Sequence, residues 1–104
     1  MELKQFENYK YIDGGVCAAK GFKASGVYCG LGKNPDKNDL GLIIAEKKCP
    51  ATAVYTQNKV KGAPIIVTKN HLADGYAQAV IANSKNANTC NADGEEKAQA
   101  MCDM

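Results

Sequence analysis

The sequence predicts an α/β protein, because three kinds of segment alternate along it. Short runs rich in Val, Ile, Tyr and Thr show loose two-residue alternation, and clusters of Gly, Pro, Asn and Asp separate them. A stretch with helical spacing closes the chain. Runs of the first kind fit strands, and the last fits a helix laid against them as a second layer.

Residues 22–29 (FKASGVYC) lie between Gly21 and Gly30 and read as a strand. Residues 30–38 (GLGKNPDKN) form a turn around Pro35, so a hairpin leads into a second strand over residues 39–45. That strand holds Leu42-Ile43-Ile44-Ala45, a continuous apolar run expected where both faces of a strand are buried. Residues 51–56 (ATAVYT), β-branched and aromatic at alternate positions, suggest a third strand. A polar connection over residues 58–63 leads to residues 64–68 (PIIVT), expected to be a strand or extended edge. Asn70 is placed to cap a one-turn helix through Ala73, stopped at Asp74-Gly75. Residues 78–82 read as the last strand. A helix then starts at Asp93 or Gly94, with Glu95 and Glu96 in the first turn, where the helix dipole favours them, and with Ala98, Met101 and Cys102 on one face. It runs to Met104 without a stop signal. One substantial helix leaves a sheet face uncovered, so the expectation is a single domain over residues 1–104 that is truncated or in need of a partner.

Composition narrows the function. With 104 residues, 45% hydrophobic and 23% charged, the chain is an ordinary globular sequence. A net charge of +2, with lysines scattered and no basic patch interleaved with aromatics, argues against a nucleic-acid partner. The apolar run at residues 42–45 is far too short for a membrane span. Residues 1–7 (MELKQFE) contain no apolar leader, so a cytoplasmic protein is expected. Five cysteines without a CxxC pair then read as small core residues in a reducing compartment, not as a disulfide frame. With one histidine and no ligand spacing, no metal site is expected.

The segment of greatest chemical interest is residues 83–94 (NSKNANTCNADG), between the last strand and the helix. Four asparagines and a glycine supply side-chain amides and left-handed bends where α/β proteins hold anions or oxyanions, although such composition also suits a loop that only satisfies its own backbone. Other candidates carry less. Residues 20–26 (KGFKASG) are rich in Gly and Lys but lack a phosphate-loop pattern and precede a strand. His71 has no nucleophile fixed beside it and reads as structural, and Cys90, the one cysteine in the polar loop, reads as a packing residue.

Four blocks in order give these pieces a family likeness: residues 15–27 (GVCAAKGFKASGV), 37–43 (KNDLGLI), 50–64 (PATAVYTQNKVKGAP) and 82–90 (ANSKNANTC). Over most of residues 10–104 the chain resembles the N-terminal part of the glutamate N-acetyltransferase (ornithine acetyltransferase) family of arginine biosynthesis. The resemblance implies an αββα layered fold of which this chain is one portion. It also implies a precursor that cuts itself before a threonine, the freed threonine of the C-terminal (β) chain becoming the nucleophile. The N-terminal α-amino group of such a threonine serves as its base. Acetyl would pass from N-acetylornithine, or from acetyl-CoA as donor substrate, to that threonine and on to glutamate, with no cofactor, in a hetero-oligomer of α and β chains.

Two departures bear on the site. Members usually carry Gly where Lys85 stands, and a Thr-Gly pair after the cysteine that stabilises the oxyanion, where this chain has Asn91 and Ala92. The resemblance assigns oxyanion stabilisation to Asn91, through its amide, and to Ala92, through its backbone N–H. The nucleophile and substrate-binding residues would lie beyond Met104, so the chain alone is expected to be inactive. The alternative is a non-catalytic binding or assembly module on the same scaffold.

Overall fold

The computed structural model describes residues 8–104; residues 1–7, on which the expectation about a leader rests, lie outside them. The elements in order are a 3-10 turn Gly15–Ala18, strand β1 Phe22–Val27, strand β2 Leu40–Pro50, helix α1 Ala63–His71, a 3-10 turn Leu72–Asp74, strand β3 Tyr76–Asn83 and helix α2 Gly94–Asp103. The strands form one antiparallel sheet in the order β1-β2-β3. The fold is thus mixed α/β, an antiparallel sheet with two helices, and the expected hairpin joins β1 to β2.

β2 runs past residue 45, where the sequence pattern ended it. Ile44 faces Ala79 and Cys49 faces Ala77, five steps along β2 against two along β3, so the charged stretch Glu46-Lys47-Lys48 bulges from the ladder. Gln78 Nε2 donates to the Ala45 carbonyl at 3.2 Å beside the bulge, and the Glu46 N–H donates to the Gly21 carbonyl at 2.8 Å. Charged residues tolerate this position because a bulge turns them out to water.

Five expectations are corrected. Residues 51–56 form no strand: both neighbours of β2 are already taken, and only the Ala51 N–H, donating to the Gly75 carbonyl at 2.8 Å, extends the pairing. Residues 64–68 are helical. Pro64 sits in the first turn of α1, where its missing N–H costs nothing, and Ala63 and Val67, one turn apart, are buried. Asn70 is therefore inside α1 and is not its cap, although the helical run does end at Gly75 with a left-handed φ of 77°.

β2 is not buried on both faces either, since Leu42 and Ile44 are each about two-fifths exposed. The cysteines are not core residues: Cys17, Cys29, Cys90 and Cys102 are exposed and Cys49 is half-buried. Among the described residues the buried apolar side chains are Ala45, Ala63 and Val67. The accessible surface is 8786 Å², where a folded monomer of this size exposes about 5,700 Å². The radius of gyration, 16.1 Å, exceeds the roughly 13 Å of a compact chain of this length. Among the described residues no helix is long and apolar enough to cross a membrane.

Candidate functional site

The asparagine-rich loop leaves β3 at Asn83 and enters α2 at Gly94, and two sets of contacts fix its course. The first is at its base. Asp39, 3% exposed, heads β2 and gathers the turn before it. Its carboxylate accepts the N–H of Gly32 at 2.9 Å and of Cys29 at 2.8 Å, and its carbonyl accepts the Ser84 N–H at 2.9 Å. Those backbone N–H groups, Gly32 first and then Cys29, hold the Asp39 carboxyl at about 2. The Cys29 thiol is pushed up by its hydrogen bond to the same carboxylate. From the sequence Asp39 reads only as the start of a strand; the signal for its role is a carboxylate directly after a turn with two glycines, whose N–H groups need an acceptor.

The second set is made of amides. Asn88 Nδ2 donates to Asn83 Oδ1 at 2.7 Å, and Asn83 Nδ2 to Asn88 Oδ1 at 3.4 Å. Asn86 Nδ2 donates to that same Asn88 oxygen at 2.6 Å. The Asn88 carbonyl accepts the N–H of Ala63, the first residue of α1, at 2.9 Å. Lys85, Asn88 and Cys90 hold left-handed backbone with φ of 71°, 58° and 59°. Much of the loop's amide content thus organises the loop itself, as the plainer reading of its composition held.

Asn91 and Ala92 stand apart from this network. The Asn91 carbonyl accepts the Gly94 N–H at 3.2 Å and closes the turn into α2. Among the described residues neither the Asn91 side-chain amide nor the Ala92 N–H has a hydrogen-bond partner. Both residues are exposed and line a cleft of about 440 Å³, together with Lys61, Cys90 and the first turn of α2. First-turn N–H groups lack intrahelical acceptors and carry the positive end of the helix dipole. Asp93 does not cap the helix; it pairs with Lys97 at 2.8 Å, which lowers its own pKa and raises that of Lys97. The cleft therefore offers free donors beside a helix start, with Lys61 and the carboxylates of Asp93, Glu95 and Glu96 also in its lining; donors of this kind can hold a negative charge that develops next to them.

The remaining candidates lie elsewhere. Of residues 20–26, Lys20 and Gly21 (φ 91°) form a turn and the rest belong to β1. His71, exposed at the end of α1, meets Gln99 Oε1 of α2 at 2.9 Å and so ties the two helices together. Cys90 lines the cleft and is exposed.

Comparison with known proteins gives the family. A model described as the ArgJ family matches residues 23–104. The chain is 43% identical over 91 residues to the arginine biosynthesis bifunctional protein ArgJ of Caldanaerobacter subterraneus, covering 86% of this chain and 22% of that protein. To the Bacillus licheniformis protein of the same description it is 46% identical over 85 residues, covering 81% and 20%. Among solved structures, the Bacillus halodurans arginine biosynthesis bifunctional protein ArgJ superposes with a TM-score of 0.75 at 42% identity, over 81% of this chain and 44% of that one. The Mycobacterium tuberculosis ornithine acetyltransferase, solved in complex with ornithine, gives 0.71 at 38% identity, over 80% and 44%. The chain spans about a fifth of the length of the curated relatives it matches. With a family model matched over residues 23–104 and two solved relatives superposing on about four-fifths of it, the chain belongs to the ArgJ family.

Proposed function

We propose that this chain is the N-terminal part of the α chain of a cytoplasmic glutamate N-acetyltransferase, a single domain that supplies the oxyanion side of the active site. The observation that carries this reading is the pair of unpartnered donors, the Asn91 amide and the Ala92 N–H, on a cleft that also takes in the start of α2. The excess exposed surface supports a partner over both sheet and helices, and the C-terminal chain of the same precursor is that partner in an α/β hetero-oligomer.

The chemistry follows from the donors. A threonine at the start of the partner chain attacks the acetyl carbonyl of N-acetylornithine through its hydroxyl oxygen, and its proton passes to its own α-amino group. The carbonyl oxygen becomes an anion and is held by Asn91 and Ala92. Collapse breaks the carbon–nitrogen bond, the α-ammonium returns the proton to the departing ornithine amine, and a threonine acetyl ester remains. The amine of glutamate then attacks this ester, again through an oxyanion in the same place, and gives up a proton to the threonine α-amino group; collapse breaks the ester carbon–oxygen bond, that proton returns to the threonine oxygen, and N-acetylglutamate leaves. Neither half-reaction needs a cofactor, and acetyl-CoA can replace N-acetylornithine as donor.

The test is a chimaera in which residues 23–104 replace the matching segment of the Bacillus halodurans relative. Acetyl transfer from N-acetylornithine to glutamate, with acetyl trapped on a threonine, is the expected result. A folded chimaera that cleaves itself and takes up no acetyl would overturn the proposal.

A further inference from the structure

Of the three left-handed residues in the loop, Asn88 is the one whose side chain is bonded to the end of β3; the Cys90 thiol meets only the adjacent Thr89 hydroxyl, at 3.8 Å. Its carboxamide is locked to Asn83 at the end of β3 and accepts from Asn86, while its carbonyl is locked to Ala63 at the start of α1. The surroundings leave little slack. A Cβ on Gly62 would stand 3.3 Å from the Asn88 carbonyl oxygen, and one on Gly94 would stand 3.2 Å from the Ala63 Cβ. The segment from 88 to 94 is therefore held at its first residue by β3 and α1 and at its last by close contact with α1. Asn91 and Ala92 lie in the middle of that fixed span, where a displaced end moves both donors together.

We infer that Asn88 is a positioning residue for acetyl transfer: its amide clamp to Asn83, with its carbonyl on Ala63, holds the bend that presents the Asn91 amide and the Ala92 N–H to the cleft. This rests on the acetyltransferase reading above. Asn88 acts through those donors and touches no reacting atom in this scheme. Catalytic donors aimed at an oxyanion lose effect steeply when misplaced, a shift of about 1 Å costing as much as 10²-fold in rate. Disturbing the clamp should therefore act on turnover and leave substrate binding alone.

The experiment compares Asn88→Ala and Asn88→Asp in the chimaera. Alanine removes every side-chain bond and disfavours the left-handed backbone. Aspartate keeps the acceptor for Asn86 and lets the Asn83 amide rotate to donate, so it should rescue in part. The expected result for alanine is a kcat per acetylatable threonine lower by about 10²-fold, with KM for N-acetylornithine unchanged and a smaller loss for aspartate. A merely structural role would reduce the number of acetylatable threonines while turnover per site stayed at the parent value, and that result overturns the inference. Hydrogen exchange on the same proteins reads the clamp without activity: the Ala63 N–H, which donates to the Asn88 carbonyl, should exchange faster in Asn88→Ala. Unchanged exchange at Ala63 overturns the inference. Faster exchange in a chimaera whose parent transfers no acetyl leaves the clamp standing and defeats the acetyltransferase reading alone.

Discussion

Replacing Lys85 by glycine should stabilise the protein, whereas the same replacement at Asn88 should destabilise it, although both residues hold nearly the same left-handed backbone. At Lys85 (φ 71°) no side-chain hydrogen bond offsets the strain, which for a residue with a Cβ is about 1–2 kcal/mol. Glycine removes that strain but adds roughly 0.5–1 kcal/mol of backbone entropy to the unfolded chain. The Lys85 stem, against which a Cβ on Gly32 would come to 3.4 Å, is exposed and adds little. The net expectation is about 0.5–1 kcal/mol of added stability. At Asn88 the two short amide bonds, 2.7 and 2.6 Å, are each worth about 1 kcal/mol net. Asparagine also tolerates the left-handed region, so glycine relieves little there. Losing both bonds and adding the same entropy term gives about 2–3 kcal/mol of destabilisation. Urea titrations of the two variants and the parent chimaera, at constant m, read the difference directly. Two shifts of the same sign would refute the claim that the Asn88 side chain, and not the bend as such, holds the loop.

Asp39 gives a pH prediction. Its carboxyl is held at about 2 in the folded state, below its unfolded value of about 3.9. Its contribution is therefore fully present above about pH 4 and is lost as pH falls through 2. Hydrogen exchange at Gly32 and Cys29, followed downward in pH, should show protection lost in that window, and in Asp39→Asn the dependence should vanish. The Cys29 thiol, pushed up by the same carboxylate, should be alkylated faster at pH 8 in Asp39→Asn than in the parent, as peptide mass spectrometry would show. Gly94→Leu should cost about 1–3 kcal/mol through overpacking against Ala63, read as a lower urea midpoint; no loss would mean that the two helix starts do not meet as described.

Local signals revealed the parts of this fold that local physics decides. β1, β3, the hairpin and α2 announce themselves through alternation, turn residues and first-turn acids, and the stop at Gly75 through the left-handed conformation glycine allows. Residues 51–56 and 64–68 misled for a shared reason: β-branched side chains fit strands, yet strand formation needs a free neighbouring edge, which depends on distant pairing. For residues 64–68 the pairing of buried Ala63 with Val67 and the proline in the first turn outweighed that preference. The continuous apolar run in β2 reads as buried from sequence alone, but Leu42 and Ile44 stay about two-fifths exposed, and four of the five cysteines are exposed as well. At the site, the loop and its place between β3 and α2 were legible from asparagine and glycine content. The division of labour within it was not, because Asn83 and Asn88 turn inward to each other while Asn91 does not, and only coordinates separate amides of identical chemistry. Asp39 was hidden by its position at a strand start.

The central claim is that the Ala92 N–H holds the charge that forms on the acetyl oxygen. Turnover of the chimaera carrying Ala92→Pro, which lacks that N–H, tests it most directly. Loss of one such donor predicts a kcat lower by about 10²–10³-fold, with KM and the number of acetylatable threonines retained. Parent-level turnover from a protein whose residue 92 has no N–H to give would contradict it.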